Sequence, residues 1–136
     1  MCDPIKQEVS NFLTNVKQQK MKDNNTAMAL CPALMEGVRT GIKRITIRNG
    51  YRNIRLGPAY FLNSKFVGAA EASIPQHEKI QVIVTSVLHC KMMSVPLDDL
   101  VADGSEDLTD AIDGMRSYYN DLKPEDEVTV IKFSLP

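Results

Sequence analysis

The sequence lacks long hydrophobic runs. Its longest apolar stretches, such as those at 27–30 and 82–84, are far shorter than the roughly 18 residues that cross a bilayer. The N-terminal segment carries Asp3 and Glu8 in a polar, helix-like pattern and has no apolar core of the kind that defines a signal peptide. These absences exclude a membrane helix and predict a cytoplasmic protein with no membrane partner.

Cysteine is scarce as well. Cys2, Cys31 and Cys90 are odd in number and far apart, which is typical of a reducing compartment rather than of a disulfide framework. Neither they nor His77 and His89 occur at metal-ligand spacings such as Cys-x-x-Cys. The glycines never cluster as GxGxxG or GxxxxGK, the patterns that hold nucleotide phosphates. The sequence therefore predicts no metal site, no phosphate loop and no cofactor.

What the chain does contain is an ordinary globular composition. It has 136 residues, of which 43% are hydrophobic and 24% are charged. A chain of this length can bury a core without a disulfide or metal to hold it together. We expect one compact folded domain.

Charge is distributed unevenly along the chain. Residues 1–55 hold ten lysines and arginines against four acidic residues, whereas residues 56–136 hold six against thirteen. Between Arg39 and Arg55 there are six cations and no carboxylate. Such a segment attracts phosphates, although an internal pairing with the acidic half of the chain would explain the same asymmetry.

The N-terminal segment has the pattern of an amphipathic helix. Asp3 and Pro4 suit the cap and first position of a helix, and apolar residues then recur at helical spacing up to residue 20. The apolar stripe consists of Ile5, Val9, Phe12, Leu13 and Val16. We assign residues 1–26 to this helix and a polar linker. The stripe would pack on the rest of the chain, or on a second copy or another protein.

The remainder alternates between helical and strand patterns. Helices are predicted over 32–40 and 106–119, with a shorter helical turn over 96–102. Apolar and β-branched runs predict five strands, over 45–48, 59–62, 66–70, 80–88 and 128–133. Helices beside several short, non-repeating strands predict an α+β fold with a small mixed or barrel-like sheet.

The basic segment 41–55 is the part of the sequence that best suits a ligand. If 45–48 is a strand, Arg44, Thr46 and Arg48 share one face and Ile45 and Ile47 the other. The cations could pair with phosphates while an aromatic side chain stacks on a base. The alternative is a solvated strand edge whose charges prevent aggregation. The predicted nucleic-acid-binding residues are Arg44, Arg48, Tyr51, Arg52 and Arg55.

Several segments together resemble a known family. Gly41-x-Lys43-x-x-Thr46-Ile47-Arg48 resembles the G-x-K-T-x-T-x-R signature of ASCH domains. Further matches follow in the same order: Arg55-Leu56-Gly57, the strand over 80–88, Leu97-Asp98-Asp99-Leu100 with Asp103-Gly104, the helix over 108–119 and the strand over 128–133. The resemblance implies a small PUA-like mixed β-barrel with flanking helices over 27–136. The N-terminal helix is an extension outside it.

The resemblance also implies a function. ASCH domains are linked to RNA and to coactivator proteins, and some bacterial members resemble this chain closely enough to compare chemically. Those members hydrolyse N-acetylcytidine with a lysine, a threonine and a glutamate, and other members have been assigned ribonuclease activity. Lys43 and Thr46 match the first two positions, and Asp103 is the nearest match to the glutamate. Arg44 replaces the threonine that usually follows the lysine.

Each residue of this trio has an alternative interpretation. Lys43 could pair with a phosphate instead of acting as a base, for which its pKa would have to be lowered by burial and by Arg44. Thr46 could serve only as a strand former, and Asp103 could cap the following helix. The basic segment with the resemblance implies a cleft that binds RNA or a modified nucleoside, with hydrolysis of that ligand as one of the functions that the resemblance implies. The alternative is a non-catalytic RNA-binding or protein-interaction module.

Overall fold

The computed structural model describes residues 26–136. The N-terminal helix predicted from the sequence, and with it the partner that its apolar stripe would contact, lie outside these residues. The described chain folds into one mixed sheet whose strands lie in the order β1-β3-β4-β5-β2. The strands are β1 (Thr26–Leu30), β2 (Ile45–Asn49), β3 (Gly57–Asn63), β4 (Lys79–Lys91) and β5 (Glu127–Ser134).

Three α-helices accompany the sheet within residues 26–136. They are α1 (Pro32–Arg39), α2 (Leu97–Ala102) and α3 (Leu108–Arg116). Short 3-10 turns follow β3 and flank β4, at Ser64–Phe66, Glu71–Ser73, Gln76–Glu78 and Met92–Ser94. Together the sheet and helices form an α+β half-barrel of the PUA-like type that the sequence predicts.

Strand pairing gives the sheet its mixed character. β1 pairs with β3 in parallel, and the other three pairs are antiparallel. β4 is the longest strand, with 13 residues, and an irregularity between Val84 and Ser86 shifts its register against β5. Such a bulge bends a strand and increases its twist. β1 and β2 are the two edge strands, and this matters for the site because both of them line the same cavity.

Two apolar cores lie on opposite faces of β5, because successive side chains of a strand point in opposite directions. Ile131 and Phe133 belong to a core inside the half-barrel, where Phe133 meets Phe61 edge-on at 4.9 Å between ring centroids. Val128 and Val130 belong to a second core beneath α2 and α3. α3 contributes the buried residues Ala111, Ile112 and Met115, as its predicted apolar stripe requires.

Most predicted elements are found within a few residues of their expected bounds. Two predictions were wrong. Residues 66–70 do not form a strand, because the chain turns at Ser64–Phe66 with the Asn63 side chain accepting a hydrogen bond from the Lys65 amide. The second difference is β1 itself: Thr26–Leu30 form a strand that the sequence pattern does not predict, and Thr26, which the sequence places in the linker, begins it.

No helix in the described part of the chain is both long and apolar enough to span a bilayer.

Cys90 is a free thiol, and burial raises its pKa. Cys31 is disulfide-bonded, which differs from the reduced state expected from an odd and scattered set of cysteines.

Candidate functional site

A cavity of about 220 Å³ lies where the two edge strands approach each other. Ala29 and Leu30 of β1 line one side, and Thr46, Ile47 and Arg48 of β2 line the other. The loop after α2 and the end of α3 complete the wall, with Lys43, Asp103, Ser105, Tyr118 and Tyr119 among the lining residues. The cavity therefore brings together the three residues that the resemblance assigns to catalysis.

Lys43 and Asp103 form an ion pair at this cavity. The Lys43 Nζ donates to Asp103 Oδ1 at 3.0 Å, and the two side chains are only 17% and 20% exposed. Sixty residues separate them in the sequence, so only the fold brings them together. Lys43 is placed by the end of α1: Gly41 adopts a positive φ of 81°, and the Lys43 amide donates to Gly37 O at 2.9 Å.

The contacts of Lys43 and Asp103 differ from two expectations raised by the sequence, that Arg44 is the charged neighbour of Lys43 and that Asp103 caps the following helix. Lys43 is not a surface lysine, and its charged neighbour is Asp103; Arg44 instead donates from Nε to Gly41 O and is exposed. Asp103 does not cap α3, because the side chain that accepts from the first turn of that helix belongs to Asp107. Asp103 instead ends α2, and its carboxylate is directed to Lys43.

Thr46 and Arg48 lie on the inner face of the half-barrel, as the alternation in β2 predicts. The Arg48 Cζ lies 6.0 Å from the centroid of the Phe61 ring, whereas Ile45 and Ile47 pack in the core beneath α2 and α3. The Arg48 Nε donates to the Thr46 Oγ1 at 3.1 Å. The face is polar as expected, but it is buried rather than solvated: Thr46 is 6% exposed and Arg48 is 7% exposed.

Arg48 has one unused donor. Within residues 26–136, its Nη2 is buried and has no hydrogen-bond partner. Burial lowers the pKa of the Arg48 guanidinium, with repulsion from Arg52 acting in the same direction and the opposing effects of Tyr119 and Asp103 being smaller than that of burial. A buried, unpaired cationic donor is costly for a fold. Arg48 is also one of the residues that line the cavity.

An aromatic wall faces these charges. Tyr118 and Tyr119 follow α3 and line the cavity, and both are partly buried. Tyr119 also packs against the core beneath the helices, as the sequence predicts. Tyr118 and Ser105 also line the cavity but are not among the residues predicted from the sequence. The sequence offers one signal for Tyr118: it directly precedes Tyr119 at the end of the same predicted helix.

Four of the predicted nucleic-acid-binding residues do not line this cavity. Arg44 lines a second cavity, of about 470 Å³, beside Asp99 and Lys132. Arg55 is exposed. Arg52 is half-buried and its Nε donates to the Asn49 carbonyl at 2.9 Å. Tyr51 is 62% exposed. Of the five predicted nucleic-acid-binding residues, only Arg48 lines the cavity that contains Lys43, Thr46 and Asp103.

The segment that carries Tyr51 and Arg52 is fixed to the sheet by Thr129. This residue is fully buried, and its Oγ1 donates to Gly50 O at 2.8 Å and accepts from the Arg52 amide at 2.9 Å. The Tyr51 ring stacks on His89 at 4.1 Å between centroids, and the His89 Nε2 contacts Arg52 O at 2.9 Å. This segment is therefore a second, outward-facing feature, held by its own contacts.

The polar side chains at the cavity are nitrogen donors and hydroxyls more than metal ligands. In residues 26–136, no group of three or more histidine, cysteine, aspartate or glutamate side chains could hold a metal ion. The polar side chains at the cavity include an ammonium, a guanidinium and the hydroxyls of Thr46, Ser105, Tyr118 and Tyr119, with Asp103 as the carboxylate. These groups suit hydrogen bonding to a polar ligand.

Comparison with known proteins identifies the architecture. No family model and no curated protein matches the chain. Among solved structures, the ASCH domain of Lactobacillus crispatus JV V101 superposes with a TM-score of 0.54 at 13% identity, covering 96% of this chain and 92% of that one. The chain has the fold of an ASCH domain. The resemblance inferred from the sequence is thereby confirmed at the level of fold.

Two further structures share this ASCH fold. The ASCH protein of Zymomonas mobilis has a TM-score of 0.53 at 11% identity, covering 81% of this chain and 66% of that one. A protein of Enterococcus faecalis V583 has a TM-score of 0.53 at 14% identity, covering 96% of this chain and 88% of that one. At these identities the comparisons support the fold, and the chemistry must be argued from the residues of this chain.

Proposed function

We propose that this ASCH-fold protein binds a modified nucleoside, an N-acylated cytidine, in the cavity and hydrolyses its exocyclic amide. The observation that carries the proposal is the buried Arg48 Nη2, which lacks a partner at a cavity that also holds Thr46 and the Lys43–Asp103 pair. A carbonyl oxygen of the ligand would satisfy this donor. Because Arg48 is cationic, the bond would strengthen as charge develops on that oxygen.

The size of the cavity favours a single nucleoside over a strand of RNA. Pockets for drug-sized ligands measure about 300 to 1,000 Å³, and this one measures about 220 Å³. A polymer needs an extended groove with successive aromatic and cationic contacts. Here the aromatic side chains, Tyr118 and Tyr119, lie together at one wall, where one base could stack.

Thr46 suits the role of nucleophile. Its oxygen accepts from Arg48 Nε, which leaves the hydroxyl proton available to a base and stabilises the alkoxide that forms when the proton departs. The oxygen would attack the acyl carbon and form a threonine ester, releasing the amine of cytidine. Water would then hydrolyse the ester, which restores the hydroxyl.

Lys43 and Asp103 would move the protons. Lysine can act as a base only after losing its own proton, and the Asp103 carboxylate at 3.0 Å is the group placed to take it. Neutral Lys43 would accept the Thr46 proton and pass it to the departing amine. In the second half of the reaction, neutral Lys43 would accept a proton from the attacking water and pass it to the Thr46 oxygen as the ester breaks and acetic acid forms. Asp103 would then return its proton to Lys43, so the pair ends as it began.

Incubating the purified chain with N-acetylcytidine tests the proposal. We expect cytidine and acetate in equal amounts by chromatography, and no fragments from labelled RNA under the same conditions. Binding without product would make the cavity a nucleoside-binding site and remove the enzymatic part. Absence of both binding and product would reject the proposal.

A second candidate is RNA binding by the outward-facing segment. It is favoured by Tyr51, whose ring is exposed, with Arg52 and Arg55 following it in the chain. Arg48 no longer belongs to this set because it is buried. In this function the cations would hold phosphates and no turnover would occur.

Salt dependence tests this candidate. If Arg52 and Arg55 each neutralise one phosphate, replacing both with alanine should reduce the slope of log affinity against log salt by about 1.4 units, since each contact on a single strand contributes about 0.7. The measurement is RNA affinity by fluorescence anisotropy from low to moderate salt. A matched Lys65→Ala variant, whose side chain contacts Glu78 elsewhere, should leave the slope unchanged. An unaltered slope in the double variant would show that these cations do not bind phosphate.

A further inference from the structure

The free edge of β2 faces the cavity. β2 pairs only with β5 in the described sheet. Arg44 O accepts from Phe133 N at 3.0 Å, and Gly50 N donates to Glu127 O at 2.7 Å. In an antiparallel ladder, residues that hydrogen-bond to the partner strand alternate with residues that do not.

The register then fixes the direction of every backbone group in β2. Thr46 pairs with Ile131 and Arg48 with Thr129, in phase with the two bonded positions at residues 44 and 50. The intervening residues 45, 47 and 49 therefore direct their N–H and C=O groups away from β5. The Asn49 carbonyl agrees with this, because it accepts from the Arg52 side chain rather than from the sheet.

Ile47 is the residue whose free-edge groups lie at the cavity. It lines the cavity between Thr46 and Arg48 and is 6% exposed. Within residues 26–136, its amide and carbonyl take part in none of the backbone hydrogen bonds outside the ladder. Buried backbone groups are nearly always paired, so a ligand that enters here would meet a donor and an acceptor side by side.

We propose that the backbone N–H and C=O of Ile47 read the base of the ligand. In an extended strand, the N–H and C=O of one residue point in the same direction, which is how edge strands bind added strands. The matching ligand edge has an acceptor beside a donor. Cytosine acylated on its exocyclic nitrogen offers this pair as the ring nitrogen N3 and the remaining N4–H.

This inference rests on the proposed function, because it assumes a cytidine in the cavity. It assigns recognition of the base to backbone groups, which side-chain substitutions leave in place. Arg48 Nη2 would bind the acyl oxygen while Ile47 holds the base edge, so the scissile amide would lie between the base-reading strand and the Thr46 hydroxyl. A uridine presents a different order of donors and acceptors at positions 3 and 4, and would be bound more weakly.

An amide-to-ester replacement at Ile47 tests the inference. Incorporating the α-hydroxy analogue of isoleucine removes the N–H and keeps the side chain. We expect affinity for N-acetylcytidine to fall about tenfold, the effect of losing one buried hydrogen bond. A 3-deaza analogue of N-acetylcytidine lacks the N3 acceptor. We expect it to bind the unmodified chain about tenfold more weakly than N-acetylcytidine does, whereas the Ile47 ester should bind the two ligands with nearly equal affinity.

The same replacement at Ile45 is the matched control. Ile45 is also a buried isoleucine on the free edge of β2, but it lines the second cavity. Each ester weakens one ladder carbonyl, at Thr46 or at Arg44, so the two variants perturb the sheet alike. The Ile45 ester should keep full affinity.

The outcomes separate this inference from the proposed function. Suppose that the unmodified chain binds N-acetylcytidine. If the two esters then bind it equally well, or if the losses of affinity from the Ile47 ester and from the 3-deaza ligand simply add, the Ile47 backbone does not bind the base and the proposed function stands. If the unmodified chain binds no cytidine, the proposed function fails and this inference fails with it. The inference about Ile47 is supported if affinity falls in the Ile47 ester but not in the Ile45 ester, and if the 3-deaza ligand causes no further loss of affinity in the Ile47 ester.

Discussion

Replacing Lys43 with arginine should reduce hydrolysis of N-acetylcytidine by at least about a thousandfold, the range expected for loss of a general base. The guanidinium keeps the positive charge beside Asp103 but cannot give up its proton near neutral pH. Ligand affinity, measured by calorimetry, should stay within about threefold because the charge at the cavity is unchanged. A drop in turnover without a drop in affinity is the signature expected of a proton-transfer residue.

Thr46 and Asp103 should show the same separation of turnover from binding. Thr46→Val removes the hydroxyl and keeps a β-branched strand residue, so hydrolysis should disappear, and Thr46→Ser should restore part of it. Asp103→Asn should lower turnover more than affinity, because an amide cannot take a proton from Lys43. Melting temperatures of all variants would show that they remain folded.

The chain offers a matched control for this series. Lys132 and Asp99 form a second lysine–aspartate pair, also at 3.0 Å, but they line the other cavity. Lys132→Arg and Asp99→Asn should therefore leave hydrolysis unchanged. Turnover that survives both Lys43→Arg and Thr46→Val would eliminate the proposed active site, although the ASCH fold would stand.

Replacing Arg48 with methionine should have opposite effects on stability and on binding. Burial lowers the pKa of this guanidinium, and its Nη2 has no partner among the described residues. An apolar side chain of similar length removes that desolvation cost, while the bond to Thr46 Oγ1 and the cationic contact with the Phe61 ring are lost. We expect the free energy of unfolding to rise by about 1 kcal/mol.

The same change should weaken N-acetylcytidine binding by about a hundredfold, since a buried charge-assisted hydrogen bond contributes about 2 to 3 kcal/mol. Chemical denaturation and calorimetry measure the two quantities. Arg44→Met is the charge-matched control, because Arg44 is exposed, and it should change each by less than about 0.5 kcal/mol. A destabilised Arg48→Met variant with unchanged affinity would show that Arg48 serves the fold instead.

The candidate site could be predicted in part because β2 has a simple pattern. Alternation in residues 44–48 indicates that Thr46 and Arg48 share a face, and the structure agrees. Burial of that face could not be read from the pattern, since charged residues on an edge strand are usually solvated. Arg48 is buried because the half-barrel curls around it and places Phe61 beside its guanidinium.

Two elements could not be predicted from the sequence, and the physical reason differs between them. β1 is missed because Thr26–Leu30 is short and mostly alanine, methionine and leucine, residues with no strong strand preference. Its strand conformation comes from parallel pairing with β3, a contact between distant parts of the chain. Residues 66–70 have the composition of a strand, but the turn held by Asn63 directs the chain away from the sheet.

The sequence by itself determined the α+β class, the helices predicted over 32–40 and 106–119 and the long strand that becomes β4, and the resemblance to ASCH domains named the candidate residues Lys43, Thr46 and Asp103. These depend on local periodicity and on short motifs, which neighbouring residues express directly. Only the tertiary structure decided that Lys43 meets Asp103 and that Arg48 is buried with a donor that has no partner among the described residues. Those facts depend on strand order and sheet curvature, which bring together residues as far apart in the sequence as Lys43 and Asp103, 60 positions apart, and no local pattern records such a distance.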